Sequence, residues 1–448
     1  MEERPIDLTK KIAEFIDEIN AADIPDYAYE HAKVCLLDWL SVTLAAKDDP
    51  LVLKLIQFAH DMGGHEHATI LGHGIKKSVT HAALINGAAS HALDYDDTLG
   101  GFIGHPSVTI FPALLALCEW KGLSGRDFLV AYLTSIQAGV CIGVSSGVEH
   151  YMAGWHATST LGHLASAAGC AKLLGLDIQR ILYALGIAGT QASGLKRVFG
   201  TMCKPFHAGK SSMAGLMSAL LAENGFTSAE DILEGTDGFF QLFKGKASRE
   251  HLEKLGKSWD VENMAQKYHA SCHATHSPIE AVLVIKGMDK FNADDITKIT
   301  INCTQIAFNA AGKLQPKTGL EGKFSVPYCV VNAILTGKTG MQGFTDNMVN
   351  NQKVRELLDK TSMVLDENLQ GMEARVIIET NSGETFSKDF NVMNEIPDLD
   401  TKRVKLKAKF LDLTAPVVGD GNASKLLECI MSIETLSNMN DMIKLIQT

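Results

Sequence analysis

The stretch HAALINGAASHALDYDDTLGGFIGHP, residues 81–106, holds the change of pattern on which the interpretation of the chain depends. Its first half is rich in alanine and includes Gly87, which predicts a helix in close contact with a neighbouring helix. Its second half holds three aspartates within four residues, a glycine-rich turn, and then His105 and Pro106. Such a sequence is typical of a catalytic loop on a rigid scaffold. The same residues could also serve only to cap helices and turn the chain.

The sequence around this stretch predicts a helical domain that covers residues 1–266. Apolar residues recur with the helical period in residues 8–19 and 27–44. Residues 111–120 and 128–144 carry too few polar positions for surface helices, so we expect them at the centre of a bundle. The chain becomes helical again over residues 399–448, and we expect these last helices to return to the first bundle.

The pattern changes between these two helical parts. Residues 296–304 alternate apolar and polar side chains, which is typical of a half-buried strand. Residues 374–390 contain a turn with glycine between two further strands, which predicts a hairpin. Helices are expected at 277–287 and 327–335. The fold class is therefore predicted to be mainly α, with an inserted, smaller α+β lid domain over residues 267–398.

Composition and charge exclude several classes of function. The 448 residues carry a formal net charge of −11 and no basic tract, which argues against nucleic acids and anionic membranes as partners. No run approaches the roughly 20 apolar residues of a membrane span. The charged N-terminus lacks the apolar core of a secretion signal. Nine cysteines scattered through apolar segments indicate free thiols in a reducing compartment, so we expect a cytoplasmic protein.

Three other segments place polar groups among apolar neighbours. His156 stands at an expected helix start, where it could donate a proton or bind an anion. Lys204 and His207 precede another expected helix. The nearby GKSS is not a phosphate loop, because the first glycine of that motif would fall on Lys204. Taken singly, a capping or core histidine and a solvated lysine are the more common explanations of His156 and Lys204.

The third segment, residues 267–281, allows two interpretations. His269, Cys272, His273 and His276 have the spacing of one helix face and the donor types of a zinc site. Standard zinc spacings are absent, however, and Ser277 with Pro278 places the expected helix start after His276. The other interpretation puts Lys267 and its neighbours in the cleft between the two domains.

Two histidines, two lysines and clustered aspartates at the ends of elements suit one kind of chemistry. Cationic groups can bind a small polycarboxylate and offset the charge of an enolate-like intermediate. A histidine or aspartate can remove the proton next to a carboxylate, and a second group can return one. No dinucleotide or pyridoxal phosphate motif is present, so nothing in these residues requires a redox cofactor.

Five ordered motifs resemble the MmgE/PrpD family, whose members include 2-methylcitrate dehydratase, cis-aconitate decarboxylase and iminodisuccinate epimerase. They are HALDYDDT with GHPS, GWHATSTLGH, KPFHAGKSS, KYHASCHATHSPIEA and FSVPYCVVNAIL. The resemblance implies a homodimer and an active site between the two domains without cofactor or metal. It also implies catalytic residues Asp94, His105, His156, Lys204 and Lys267, and substrate-binding residues Thr98, Cys272, Ser325, Tyr328 and His207.

Departures from the family pattern affect the choice of reaction. Cys272 stands where the decarboxylases have a histidine, His269 stands where tyrosine is usual, and His163 stands where a small residue is common. The loop between Thr98 and His105 has the length of the dehydratase form. We therefore predict dehydration of a 2-methylcitrate-like acid. Epimerisation, decarboxylation, a metal-binding protein that uses residues 269–276 and a catalytically silent scaffold remain the alternatives.

Overall fold

The computed structural model describes residues 7–446 and divides into two compact units. The first unit consists of Met1–Gln266 and Leu399–Thr448, and the second of Lys267–Asp398. The fold is mainly α, as the sequence predicts.

Helices account for most of the described chain. In chain order they are α1 (Leu8–Glu18), α2 (Asp26–Ala45), α3 (Pro50–Met62), α4 (Val79–Ala92), α5 (Ser107–Lys121), α6 (Gly125–Met152), α7 (Ala157–Leu173), α8 (Ile178–Gln191), α9 (Cys203–Glu223), α10 (Phe239–Phe243), α11 (Arg249–Lys254), α12 (His276–Lys286), α13 (Gln305–Ala311), α14 (Gly319–Gly322), α15 (Val326–Thr336), α16 (Asp346–Val349), α17 (Gln352–Leu358), α18 (Leu399–Val418), α19 (Asp420–Met431) and α20 (Asn440–Lys444). The strands are β1 (Ala68–Ile70), β2 (Ile75–Lys77), β3 (Ile296–Cys303), β4 (Thr361–Leu365), β5 (Glu373–Thr380) and β6 (Thr385–Asn391).

The core of the first unit is a group of helices that pack on one another, α4, α5, α7 and α9. Helix α5 is buried along almost its whole length, which explains why its sequence lacks a polar face. Helix α18 from the C-terminal part packs on α2, so both ends of the chain belong to this unit. One detail of the sequence prediction is wrong, because the unit also contains the short antiparallel pair β1–β2.

Close packing of α4 against α9 depends on two glycines. A Cβ on Gly87 would lie 2.7 Å from the Cα of Gly209, and a Cβ on Gly209 would lie 2.0 Å from the carbonyl oxygen of Leu84. Since α4 leads into the aspartate-rich loop and α9 carries Lys204, this contact sets the distance between two parts of the candidate site.

We expect Gly209→Ala to destabilise the protein by about 3 kcal/mol, because backbone must move to admit the methyl group. The matched control is Gly421→Ala in α19, where a Cβ meets nothing within 4 Å. That change should be neutral or stabilise the helix by up to about 1 kcal/mol. Denaturant unfolding of both variants measures the difference. Equal stability of the two variants would contradict the close packing of α4 and α9.

Helix α6 is an exception to the expectation that no run of the chain is apolar and long enough to span a membrane. Its 28 residues include a window that is apolar and long enough to cross a bilayer. However, 94% of that window is buried inside the protein, as expected of a core helix. The helical geometry breaks at Gly147, whose φ is +70°.

The second unit contains a four-stranded sheet with the order β4-β3-β5-β6. The predicted strand β3 and the hairpin β5–β6 are both present, with antiparallel β3–β5 and β5–β6 pairs. The parallel edge strand β4 was missed, because its sequence TSMVL is too short and too exposed to alternate clearly. The role of this unit as a lid stays a prediction.

Candidate active site

The aspartate-rich loop is held in place by backbone contacts at both of its ends. Asp94, two residues after the end of α4, has a left-handed φ of +52°, a strained conformation for a residue with a side chain. Thr98 pairs with Ala265 through two backbone hydrogen bonds of 2.8 and 2.9 Å. Gly104 has no room for a side chain, because a Cβ would lie 2.5 Å from Oγ1 of Thr158. The loop therefore lies directly against the start of α7.

Two buried lysines of α18 also support the loop and its surroundings. Lys409 Nζ lies 2.6 Å from Oδ1 of Asp38 and donates a hydrogen bond of 2.7 Å to the carbonyl oxygen of Tyr95. Lys402 Nζ donates to the carbonyl oxygen of Met264 at 2.8 Å. Helix α18 thus holds the backbone at Tyr95, within the aspartate-rich loop, and at Met264, just before residue 267.

The three neighbouring aspartates serve three different purposes. Asp94 Oδ1 lies 2.8 Å from Nζ of Lys204. Asp96 lies between two imidazoles, as described below. Asp97 faces the core, where it accepts a hydrogen bond of 2.5 Å from Ser107. Burial, together with the charge of Asp38, raises the pKa of Asp97 well above its ordinary value, which favours a neutral acid with a structural role.

Asp96 is completely buried between His91 and His105. His91 Nδ1 lies 2.9 Å from one carboxylate oxygen, and His105 Nδ1 lies 2.8 Å from the other. Burial alone would raise the pKa of Asp96, but the two imidazoles and their hydrogen bonds lower it well below the ordinary value. An ionised carboxylate between two Nδ1 atoms favours the Nδ1–H tautomer of both rings, which leaves Nε2 of each as a proton acceptor.

A second pair of imidazoles begins at the N-cap of α7. His156 Nδ1 lies 3.0 Å from Nδ1 of His207, which belongs to the first turns of α9. The ring of Phe199 covers His156 edge-on at a centroid distance of 4.9 Å. Burial lowers the pKa of His156 well below its ordinary value, and nearby His91 adds to the effect. Burial also lowers the pKa of His207, so both rings are neutral at pH 7.

Lys204 brings a cation to the same place. Its side chain is 13% exposed, and Nζ lies 2.8 Å from Asp94. The expectation that Lys204 and His207 precede a helix is wrong, because α9 begins at Cys203 and includes both. Pro205 is tolerated there because a first-turn N–H has no partner within the helix.

Three helices begin at this site, and their N-termini make it electropositive. Helix α5 starts two residues after His105, α7 starts after His156, and α9 starts next to Lys204. Helix N-termini attract anions through unpaired backbone N–H groups and the helix dipole. The arrangement can therefore hold a carboxylate beside imidazoles that exchange protons.

Buried neutral histidines make stability depend on pH. Burial lowers the pKa of His91 to about 4, whereas the unfolded chain binds the same proton near pH 6.5. The stabilisation is therefore complete above pH 6.5 and is lost as the pH falls towards 4. We expect His91→Asn to flatten this decline by up to about 1.4 kcal/mol per pH unit, because the amide still donates to Asp96 but does not titrate. Denaturant unfolding between pH 4.5 and 8 measures it, with His60→Asn as the surface control. Parallel curves for His91→Asn and wild type would contradict this prediction.

The candidates in the second unit have a different character. Lys267 is buried, and the peptide N–H of Cys272 donates to the carbonyl oxygen of Lys323. Ser325 caps α15, and the Tyr328 hydroxyl donates to the carbonyl oxygen of Gly343. The structure thus assigns local structural contacts to Ser325 and Tyr328. The roles of all four in substrate binding or catalysis stay predictions.

The histidines of residues 269–276 do not have the arrangement of a zinc site. Both ring nitrogens of His269 have partners, Thr339 at 2.8 Å and Glu280 at 3.2 Å. His276 contacts His269 and His273 ring against ring at 4.8 Å. Within residues 7–446, the group whose donor atoms lie close enough for a metal ion is instead His91, Asp96 and His105, all within 4.8 Å. Donation from two Nδ1–H groups to one carboxylate also accounts for these contacts.

The site therefore combines five expected residues with two that the sequence analysis did not select. Asp94, His105, His156, Lys204 and His207 converge in the first unit, and Thr98 anchors their loop. His91 and Asp96 were missed as functional residues. The signal was a histidine in the last turn of α4 followed five residues later by an aspartate, a spacing that a tight turn can close.

Comparison with known proteins identifies the family. The model of the MmgE/PrpD N-terminal domain matches residues 10–251, and that of the MmgE/PrpD C-terminal domain matches residues 269–435. The chain belongs to the MmgE/PrpD family, as its motifs predict.

Individual relatives are similar at low identity. The cis-aconitate decarboxylase-like protein oryM of Aspergillus oryzae is 26% identical, with 98% of this chain and 97% of the relative covered. The cis-aconitate decarboxylase of Mus musculus is 28% identical, with 80% and 75% covered. The 2-methylcitrate dehydratase of Escherichia coli K12 is 25% identical, with 80% and 78% covered. These relatives are enzymes that act on small carboxylic acids, which supports a lyase without deciding its subtype.

Proposed function

We propose that the protein is a lyase that exchanges a proton at a carbon next to a carboxylate of a small di- or tricarboxylic acid. The observation that carries the proposal is the convergence of the Lys204 ammonium, three helix N-termini and two differently partnered histidines, His105 and His156. The cation and the helix ends attract the substrate anion, and the histidines lie beside it.

Dehydration of a 2-methylcitrate-like acid is the reaction that we propose first. His105 carries its proton on Nδ1 against Asp96, so its Nε2 accepts the proton from the carbon next to the carboxylate. His156 then donates from Nε2 to the leaving hydroxyl, which departs as water. Lys204 holds a carboxylate and stabilises the enolate-like charge that develops during proton removal. The atoms balance, since one proton and one hydroxide leave together.

Decarboxylation is the second candidate, because relatives that match 98% of the chain are named cis-aconitate decarboxylases. In that reaction a carboxylate leaves as CO₂, and a histidine protonates the carbanion that remains. Epimerisation needs only two proton-exchanging groups and stays an alternative. We propose Lys267, two residues after the Thr98 partner Ala265, as a further contributor of positive charge.

The experiment is a screen of citrate-like, aconitate-like and succinate-like acids, with products identified by NMR and mass spectrometry. Loss of water from 2-methylcitrate supports dehydration, and loss of CO₂ from cis-aconitate supports the second candidate. Inversion without either loss supports epimerisation. An enzyme that changes none of these acids contradicts the proposal. Turnover that persists after chelation supports the expectation that no metal takes part, whereas loss restored by one divalent ion contradicts it.

A further inference from the structure

Nδ1 of His156 lies 3.0 Å from Nδ1 of His207, so the two rings contact each other through the same nitrogen. Within the described part of the chain, Nε2 of each ring has no hydrogen-bond partner. The environments of the two rings differ, since His156 is 3% exposed and His207 is only partly buried. The pair thus connects the enclosed ring of His156 with the more exposed ring of His207.

The chemistry of two neutral imidazoles restricts this contact to two states. Each ring carries one proton, and a 3.0 Å contact between nitrogens needs one hydrogen between them. When His156 donates from Nδ1, its Nε2 is bare and acts as a base. When His207 donates instead, the Nε2 of His156 carries a proton and acts as an acid. His156 therefore changes from base to acid when the shared proton passes to His207 while Nε2 of His156 gains a proton and Nε2 of His207 loses one.

We propose that His207 is a positioning residue that relays a proton from solvent to Nδ1 of His156 as Nε2 of His156 gives its proton to the substrate, so that His156 stays neutral. A proton enters at Nε2 of His207, the shared proton crosses to Nδ1 of His156, and the proton on Nε2 of His156 leaves to the substrate. One proton enters and one leaves, and the pair ends with Nε2 of His156 bare. After product release the reverse transfers, with a proton from water entering at Nε2 of His156 and one leaving at Nε2 of His207, restore the acid. The proposal rests on the proposed function and changes the role of His207 from substrate binding to proton delivery.

The surroundings favour such a relay over a fixed charge. His156 faces His91, His105 and Lys204, and His207 faces Lys210, so positive neighbours oppose an imidazolium in the pair. No carboxylate holds either Nδ1 in one tautomer, in contrast to the His105–Asp96 contact. Gly194 lies directly beside the pair, because a Cβ there would lie 3.3 Å from Nδ1 of His207.

Two substitutions at position 207 separate a relay from a structural role. Asparagine places an amide near the former Nδ1 and preserves a hydrogen bond to His156, but it cannot pass a proton. Alanine removes the contact and leaves space for an added imidazole. We expect both variants to lose 10- to 100-fold in kcat with little change in KM on cis-aconitate or 2-methylcitrate, whichever the wild type converts.

Chemical rescue then decides between the two roles. Added imidazole should restore His207→Ala towards wild-type turnover, with rates that follow the pKa of a series of methylated imidazoles. The matched control is His163→Asn, which retains the hydrogen bond to the Ser159 carbonyl and should show near-normal turnover and no rescue. Restoration of kcat by asparagine, or no rescue of the alanine variant, would overturn the relay.

A measurement independent of activity tests the pair itself. Exchange of the imidazole C2–H, followed by mass spectrometry across a pH series, gives the pKa of His156 in each protein. Because His207 contributes to the lowered pKa of His156, the pKa should rise in His207→Asn. An unchanged pKa of His156 in this variant would contradict the contact between the two rings. If the wild type converts no acid at all, the proposed function is wrong, but this titration still tests whether His207 contacts His156.

Discussion

Replacement of Asp96 by asparagine is expected to lower kcat/KM by about a thousandfold on the acid that the wild type converts. The Asp96 carboxylate lies against Nδ1 of both His91 and His105, whereas asparagine offers one oxygen and one NH₂ group and cannot serve both. An amide NH₂ group that faces His105 would also favour the wrong tautomer, with the proton on Nε2. The base then has no lone pair towards the substrate.

The neighbouring aspartate is a matched control for this substitution. Asp97→Asn changes the same atoms one residue later, but Asp97 faces Ser107 in the core, where burial raises its pKa well above the ordinary value. We expect that variant to keep turnover within about threefold of wild type. Rates over a pH series, with thermal unfolding to confirm the fold, measure both variants. Similar losses in the two would contradict the assignment of Asp96 as the residue that positions His105.

The second large effect is expected for Lys204→Met, which keeps the length of the side chain and removes its charge. Turnover should fall by at least about a hundredfold, because the substrate carboxylate and the developing negative charge lose their cationic partner. Asp94 also loses the ammonium at 2.8 Å, so the site becomes more negative. The double variant with Asp94→Asn should recover part of the affinity for substrate but not the rate.

The control removes another cation from the same part of the chain. Lys196 lies over the ring of Tyr151, with Nζ 3.7 Å from the centroid, and takes no part in the site. We expect Lys196→Met to retain more than half of the wild-type rate. Steady-state kinetics give kcat and KM separately for each protein. Wild-type turnover in Lys204→Met would remove Lys204 from the mechanism.

Much of the fold could be predicted from local patterns. The central helices α5 and α6 follow from long apolar runs, and the strand β3 follows from alternation. The strands β2 and β4 were missed because three to five residues carry too little periodicity to distinguish a strand from a loop.

The site divides in the same way. The residues that the motifs select, such as His105 and Lys204, converge as expected. The sequence does not predict which aspartate positions a catalytic histidine. Asp94, Asp96 and Asp97 carry identical side chains and differ only in their tertiary surroundings. The turn at Asp94, with its positive φ, gives each carboxylate a different direction.

We propose above all that His105, oriented by Asp96, exchanges a proton with a carbon next to a carboxylate. The most direct test incubates cis-aconitate and its 2-methyl homologue with the wild type and with His105→Asn in D₂O, with products examined by NMR. We expect one new carbon–deuterium bond next to a carboxylate in the wild-type product, whether CO₂ is lost or water is added, and almost none with the variant. Equal deuterium incorporation by both proteins, or no reaction of either acid with the wild type, would contradict it.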